Sequence, residues 1–519
     1  MKGFEKLKQL LDKAQLRKIG KPMVAHTPAN EGRAEPPDPT AELPSSTKRG
    51  PPLARQKGGD AAQLTGTGPV RGGSTADVIL GLDFGTRFTK VCYRFLGDER
   101  SSVAERDATS QQGALWPSRV FVDAQRGSLH LTRTTSDSDL FELSYLKMRL
   151  KDPAAAEFGP HPKIAAFVQR GSEQALAAFF LAQVIRRACS VIIQREADRF
   201  KDRQPRWQIN LSIPAQYQDD GVAETFRLTG EVALLWADAP PVSGTPTVTE
   251  IGRRFASDVG QVKSRRRVEV FPEIVAALHD FVRRPDTPEG VHGFVDVGGG
   301  TLDGCVFQLT RMREGPVINV LAASVEPLGT VAIAKKAILG LYQDLNRTIE
   351  QRIVTGDEPE LSVNLPLAES ETCVRSFIGR LMRDARDHSP YGTLRQPGNA
   401  SLSDPTRLTS SDHFVLRCSG GGASSPWYKR TIEATHQINK QASLGIMPYS
   451  VELIAPSASF SGGLRAPFNR FVIAHGLSSP AEDLELVRCR LPSELSPGEQ
   501  LEPRNPAAID YTASKDALT

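Results

Sequence analysis

A mixed α/β fold in two lobes is predicted for this 519-residue chain on three observations. The length exceeds what a single compact core serves. Two strand–turn–strand units of one design, LDFGTRFTKV from Leu82 and VDVGGGTLDGCVF from Val295, lie far apart in the chain. Between and after them, helical and strand periodicities alternate.

The chain begins with Phe4, Leu7, Leu10, Leu11 and Ala14 at helical spacing, and its first 21 residues hold seven Lys or Arg against Glu5 and Asp12. This predicts a basic amphipathic helix over 1–21, suited to a protein partner or to peripheral contact with an anionic membrane, with a frayed solubilising tail as the plainer alternative. Residues 22–75 are rich in Pro, Gly, Ser, Thr and charge, and cannot bury enough surface to offset their ordering entropy; they read as a disordered N-terminal tether. Residues 1–75 carry 13 basic and 7 acidic side chains, whereas the whole chain is only +4. The globular part thus has no basic excess, and no nucleic-acid partner is expected. Cysteines 92, 189, 305, 373, 418 and 489 form no C-x-x-C and no zinc spacing. With no apolar run of the roughly 18 residues a membrane helix needs and no secretory signal, a soluble, reducing, cytoplasmic setting is expected.

The first lobe is predicted over 76–275. It opens with the apolar strand 78–85 and a hairpin, followed by a helix over about 172–197, a buried strand at 208–212 and a helix at 221–236. The polar stretch 240–267, ending in the basic KSRRR, reads as a surface insertion with a solvated charge run. The second lobe, 276–479, opens with the second hairpin at 293–309, continues with a helix over about 330–351, and places a glycine turn after a strand at 415–422. Residues 480–519, rich in Pro, Glu and Ser, read as an irregular tail.

The two hairpins carry the chemistry. Turns free of bulky Cβ groups let backbone N–H groups approach an anionic phosphate, and the hydroxyls of Thr86 and Thr301 add donors. Asp83 and Asp296, each ending a first strand, are placed to hold a hydrated Mg²⁺ through its waters. A third element, CSGGGASSP from Cys418, follows a strand and opens a helix whose amides point back at the turn. One such turn is commonplace in β-proteins; two matching hairpins favour phosphate clamping.

The order DFGT, SIPAQY, EIVAAL, DVGGGTLD, LG, SGGGASS strongly resembles the ATPase domain of the 70-kDa heat-shock (DnaK-like) chaperones, within the actin and sugar-kinase superfamily, over about 77–479. The resemblance implies a two-lobed actin-like ATPase fold of duplicated ribonuclease H-like domains, with mixed five-stranded sheets flanked by helices, and ATP or ADP with Mg²⁺ as cofactors. It assigns Asp83, Gly85 and Thr86 to the first phosphate motif and Asp296, Gly298, Gly299, Gly300, Thr301 and Asp303 to the second. Glu273 matches the glutamate that orders the metal's water shell and the attacking water. Leu328 and Gly329 match the glycine turn after the second hairpin, and Gly421, Gly422 and Ser424 the adenosine motif. Lys147 stands where the chaperones carry a γ-phosphate lysine, and Lys90 where actin-like members keep a phosphate-binding lysine; one of the two supplies positive charge, with Lys147 preferred.

The chain also departs from the family. Arg87 replaces a small hydroxyl residue in the first turn, where it contacts phosphate or hinders it, and no peptide-binding domain is expected downstream. The helix at 373–387 is the candidate to contact adenine. The leading expectation is a slowly hydrolysing Mg-dependent ATPase acting as a partner-regulated conformational switch. The alternatives are a nucleotide-sensing adaptor or pseudo-ATPase scaffold, and an actin-like filament former, at which Lys90 hints.

Overall fold

In β1 (Ser74–Phe84), every side chain from Val78 onward is buried, the pattern of a strand covered on both faces. β1 turns through residues 85–87 into antiparallel Phe88–Phe95 (β2), which pairs antiparallel with Ser101–Val103 (β3). On its other side β1 pairs parallel with Arg203–Ile213 (β4), and β4 with Val268–Pro272 (β5). This order, β3-β2-β1-β4-β5, forms most of a seven-stranded sheet, completed by Trp116–Pro117 beside β2 and Phe460–Ser461 beside β3.

The structure is a computed structural model that describes residues 74–106, 113–133, 137–151, 160–169, 171–213, 220–240, 244–313, 315–338, 364–388, 414–441, 449–462, 467–485 and 488–490. The helix expected over 1–21, the tether up to residue 73, the end of the helix expected over 330–351 and residues 491–519 lie outside the described residues.

A six-stranded sheet follows: Gly290–Val297 (β6), Leu302–Met312 (β7), Gly315–Glu326 (β8), Phe414–Ser419 (β9) and Tyr449–Leu453 (β10). Its order is β8-β7-β6-β9-β10, with β6–β7 and β7–β8 antiparallel and β6–β9 and β9–β10 parallel. Strand order and direction therefore repeat those of the first sheet. The tail read as irregular begins with the short helix Ala481–Glu485 and adds Arg488–Arg490 as a parallel strand on β8, because the edge of β8 offers unpaired backbone groups that a short segment of any composition satisfies.

Helices Leu146–Lys151 (α1), Glu173–Arg195 (α2), Asp220–Asp238 (α3) and Val248–Val262 (α4) contribute to the core of the first sheet. By length and apolarity α2 could cross a membrane, contrary to the reading that no such run exists; its mean hydropathy reaches 1.8, and 67% of that window is buried within the protein. Its apolar surface is spent on the core, as in a central helix of a globular domain.

α4 also corrects the reading of 240–267 as a solvated stretch. Val248, Ile251, Phe255 and Val262 lie on one buried face, and Thr247 and Glu250 form a capping box at its start. Overall polarity concealed this i, i+3, i+7 pattern. The basic run that follows is held by Arg227, whose guanidinium donates to the carbonyls of Lys263 and Arg265.

Glu273–Arg283 (α5) packs with a later helix, Phe468–Leu477, which ends the series as α9; Thr330–Ile338 (α6), Asn364–His388 (α7) and Pro426–Gln441 (α8) lie between them in sequence and serve the second sheet. The expected lobe boundary at 275/276 falls inside α5. α5 and α9 share a core cluster with β6, β7 and β8, while α9 also meets the first sheet. A Cβ at Gly81 would lie 2.2 Å from Ala474 O, one at Gly476 would lie 1.9 Å from Ala276 O, and Asn210 Nδ2 donates to Leu477 O and Ser479 O at 2.8 Å each. At Gly81 and Gly476 backbone touches backbone, and only glycine permits it.

Candidate functional site

Asp83 and Asp296 are the penultimate residues of β1 and β6, and the turns that follow face each other. A Cβ at Gly300 would lie 2.9 Å from Thr86 Oγ1, and one at Gly299 would lie 3.3 Å from Arg87 Cβ. Gly85 N donates to Asp83 O at 3.0 Å, and Gly298 N to Thr301 O at 2.9 Å, closing each turn on itself. The second turn is braced from behind by residues 329–331: Thr330 N donates to Gly298 O at 3.0 Å and Val331 N to Gly299 O at 2.7 Å. A Cβ at Gly329 would lie 2.6 Å from Gly299 C and Thr301 N.

Around the turns the fold gathers four carboxylates and two ammonium groups. Asp83 Oδ2 accepts from Lys90 Nζ at 2.6 Å. Glu273, which heads α5 after Pro272, pairs with Lys147 on α1. Two residues before Lys147, Tyr145 has φ +62°, and it is the only non-glycine with positive φ among the described residues. That strained bend sets the start of α1 and the direction from which Lys147 enters. Ser212, at the end of β4, accepts from Phe84 N at 3.1 Å and stands 3.4 Å from Asp83 Oδ1 and 3.5 Å from Glu273 Oε1. Asp296 and Asp303 receive hydroxyls rather than cations: Ser419 donates to Asp296, and Thr301 Oγ1 donates to Asp303 Oδ2 at 2.8 Å.

Both lysines pair with other acids, Lys90 with Asp83 and Lys147 with Glu273, which leaves Asp296 and Asp303 without an ion-paired cation among the described residues. Burial pushes Asp296 up to about 6; the Ser419 hydroxyl and Lys90 oppose this, and Glu273 and Asp83 add to it. Burial, then Glu273 and Asp296, raise Asp303 well above the usual carboxylate range against the Thr301 hydroxyl and Lys147. Burial alone would lower Lys90, but Asp83, Asp296 and Glu273 hold its ammonium above its ordinary value. Buried carboxylates short of counter-charge suit a cation. Among the described residues no three His, Cys, Asp or Glu side chains converge closely enough to ligate a metal directly.

The third turn stands beside this cluster because β9 pairs with β6, placing Ser419 opposite Asp296. Gly420 has φ +90°, and a Cβ there would lie 2.4 Å from Val297 O. Gly422 N donates to Val297 O at 2.9 Å. Asn469 on α9 staples the turn from the other side: its Nδ2 donates to Gly420 O at 3.1 Å and Ser424 Oγ at 3.2 Å, and its carbonyl accepts from Gly420 N at 2.8 Å.

The fold thus brings together Asp83, Gly85, Thr86, Arg87, Lys90, Lys147, Glu273, Asp296, Gly298, Gly299, Gly300, Thr301, Asp303 and Gly329, with Gly421, Gly422 and exposed Ser424 alongside. Lys90 and Lys147 both enter the cluster, the first paired with Asp83 and the second with Glu273. Arg87 has its guanidinium 5.3 Å from the centre of the Phe88 ring. The helix expected to contact adenine buries Val374, Phe377, Ile378, Leu381 and Met382 in the second core, and its Arg380 pairs with Glu326. Sequence reasoning missed Ser212, Ser419 and Asn469. Ser212 and Ser419 could have been found as small hydroxyl residues ending the strands parallel to β1 and β6; nothing local marks Asn469.

No family model matches the chain, and no curated protein matches it. Two solved structures of MreB5 of Spiroplasma citri, one bound to ADP and one to AMPPNP, are similar to it, at 11% and 10% sequence identity. Each match covers 78% of this chain and 94% of the other, with a TM-score of 0.37. A likeness this weak decides neither fold nor function, and both rest on the chain's own geometry.

Proposed function

We propose that the chain has a duplicated, actin-like fold of the heat-shock-chaperone type, binds ATP with Mg²⁺ between its two facing turns, hydrolyses it slowly, and acts as a conformational switch read by a partner. The observation that carries this reading is the charge inventory: four carboxylates with two lysines, both paired, at glycine and threonine turns that end equivalent strands of two sheets with one topology. Phosphates approach the turn amides and the lysines, and Mg²⁺, held through water by Asp83 and Asp296, would neutralise charge on both phosphates and carboxylates. Glu273 orients a water for attack, and Thr301 adds a hydroxyl at the phosphate. Residues 1–21 would reach a cytoplasmic protein partner or an anionic membrane surface.

The test is single-turnover hydrolysis of radiolabelled ATP with Mg²⁺ for the wild type, Thr301→Ala and Asp296→Asn, after calorimetry on the wild type. Hydrolysis lost in both variants supports the switch. Tight binding without turnover moves the reading to a nucleotide-sensing adaptor, and no binding overturns it. A filament-forming reading draws on Lys90 lying within the cluster; light scattering that stays flat with ATP across a protein concentration series would remove it.

A further inference from the structure

A cavity of about 520 Å³ opens among α2, the end of α3, the start of α4 and the short strand Leu129–His130. None of the residues lining it belongs to the three glycine turns. It exists because 240–267 is built into the fold. Leu129 N donates to Pro246 O at 2.8 Å and Val248 N to Gly127 O at 2.9 Å, and Val248, Ile251 and Phe255 root α4 in the first core. The start of α4 is thereby held as a wall facing α2, and the volume enclosed falls in the range of small-molecule sites.

The floor is apolar, with Phe179, Trp236 and Ile251. The polar groups around it are donors short of acceptors. Arg186 on α2 gives Nε and Nη2 to the carbonyls of Trp236, Ala237 and Ala239, capping the end of α3. This leaves Nη1 over, and among the described residues Arg186 has no ion pair. Arg254 on α4 lies 5.0 Å from the centre of the Trp236 ring and reaches Asp258 Oδ2 through Nε alone, at 3.4 Å; the same oxygen accepts from Trp236 Nε1 at 2.7 Å. The amide of Gln183 has no partner among the described residues. Glu250, the carboxylate of the lining, is exposed and spends Oε2 on the capping box with Thr247. Burial, then Arg254, lowers the pKa of Arg186, and no carboxylate opposes the shift.

Two half-buried guanidinium groups and an amide, set around an indole ring, are matched by an acceptor that carries negative charge. A flat apolar body attached to that acceptor would cover the aromatic floor. We propose that this cavity is a binding site for a small amphiphilic anion, its acidic head held by Arg186, Arg254 and Gln183 and its flat apolar body packed on Trp236 and Phe179. The site is separate from the facing turns and does not depend on the nucleotide reading.

The probe is anilinonaphthalene sulfonate, a sulfonate on fused apolar rings that fluoresces when taken out of water. N-phenylnaphthylamine, with the same rings and no charge, is the control. Both are titrated against the full chain as wild type, Arg254→Gln and Arg253→Gln, with thermal melts to check folding; Arg253 is the exposed neighbour that does not line the cavity. Wild type is expected to bind the sulfonate at a single saturable site. Arg254→Gln should bind it about tenfold more weakly, the loss of one charge-assisted hydrogen bond. Arg253→Gln should stay within about twofold of wild type, and neither substitution should move the neutral probe. Absence of saturable binding, equal losses in the two variants, or wild type that binds the neutral probe as tightly as the anion would each overturn the site. The last comparison needs wild type alone, so it decides even where a variant fails to fold.

Discussion

Lys90 Nζ stands 2.6 Å from Asp83 Oδ2, directly across the first hairpin, where the strand register sets the two residues opposite each other. Asp83 is almost fully buried, so this ammonium is its compensating charge. Lys90→Ala should therefore destabilise the protein by about 3–5 kcal/mol through the charge left behind. Lys90→Met combined with Asp83→Leu should recover most of that loss in urea unfolding; a double variant as unstable as the single would show that packing, not charge, is at stake.

Asp296 titrates near 6 in the folded protein, above its ordinary 3.8. An acid whose folded pKa is raised binds more protons folded than unfolded between those values, so its contribution to stability falls as pH rises from about 4 to 6 and stays lost above that. The cost at neutral pH is on the order of 3 kcal/mol. Asp296→Asn should be more stable than wild type at pH 7.5 and nearly equal to it at pH 4, while losing hydrolysis. Equal stability differences at both pH values would contradict the assignment.

Gly329 and Gly421 both border the site but differ in space. A methyl at Gly329 would meet the backbone of Gly299 and Thr301 at 2.6 Å, whereas one at Gly421 would meet only Arg470, at 3.9 Å. Gly329→Ala should displace the second turn, costing about 1–3 kcal/mol and abolishing Mg·ATP binding. Gly421→Ala should retain its stability within about 0.5 kcal/mol. Thermal melts with and without Mg·ATP separate the two.

Thr247→Ala removes one half of the capping box of α4, in which Glu250 N donates to Thr247 Oγ1 at 3.2 Å and Thr247 N to Glu250 Oε2 at 2.8 Å. A loss of about 1 kcal/mol in urea unfolding is expected, with nucleotide binding unchanged.

Part of this site was legible because the acids and turn residues of the two hairpins announce themselves locally. Asp83 and Asp296 end apolar runs, glycines follow, and Thr301 and Asp303 stand two residues apart, matching the alternation that sends both side chains to one face of a strand. Lys147 and Glu273 were named only through the family resemblance and could not be paired, since they are 126 residues apart in the chain. Ser212 and Ser419 carry the mark of small hydroxyl residues at strand ends, but their partners are fixed by which strands lie side by side, and nothing local marks Asn469. The helix of 248–262 was hidden by four charged side chains among fifteen residues, which lower its mean hydropathy without disturbing its apolar face.

At the contact of Gly476 with Ala276 O no side chain stands between the α5 and α9 backbones. Packed helices slide past each other by small shear motions; at this crossing there is no side chain to yield, and sliding there drives the Ala276 carbonyl against the Gly476 Cα. What remains is rotation about the point of closest approach, as in a pivot bearing. Since Glu273 heads one helix and Asn469 and Arg470 open the other, a small angular change at the bearing displaces the acid cluster relative to the third glycine turn, and the two ends of the cleft cannot be adjusted independently.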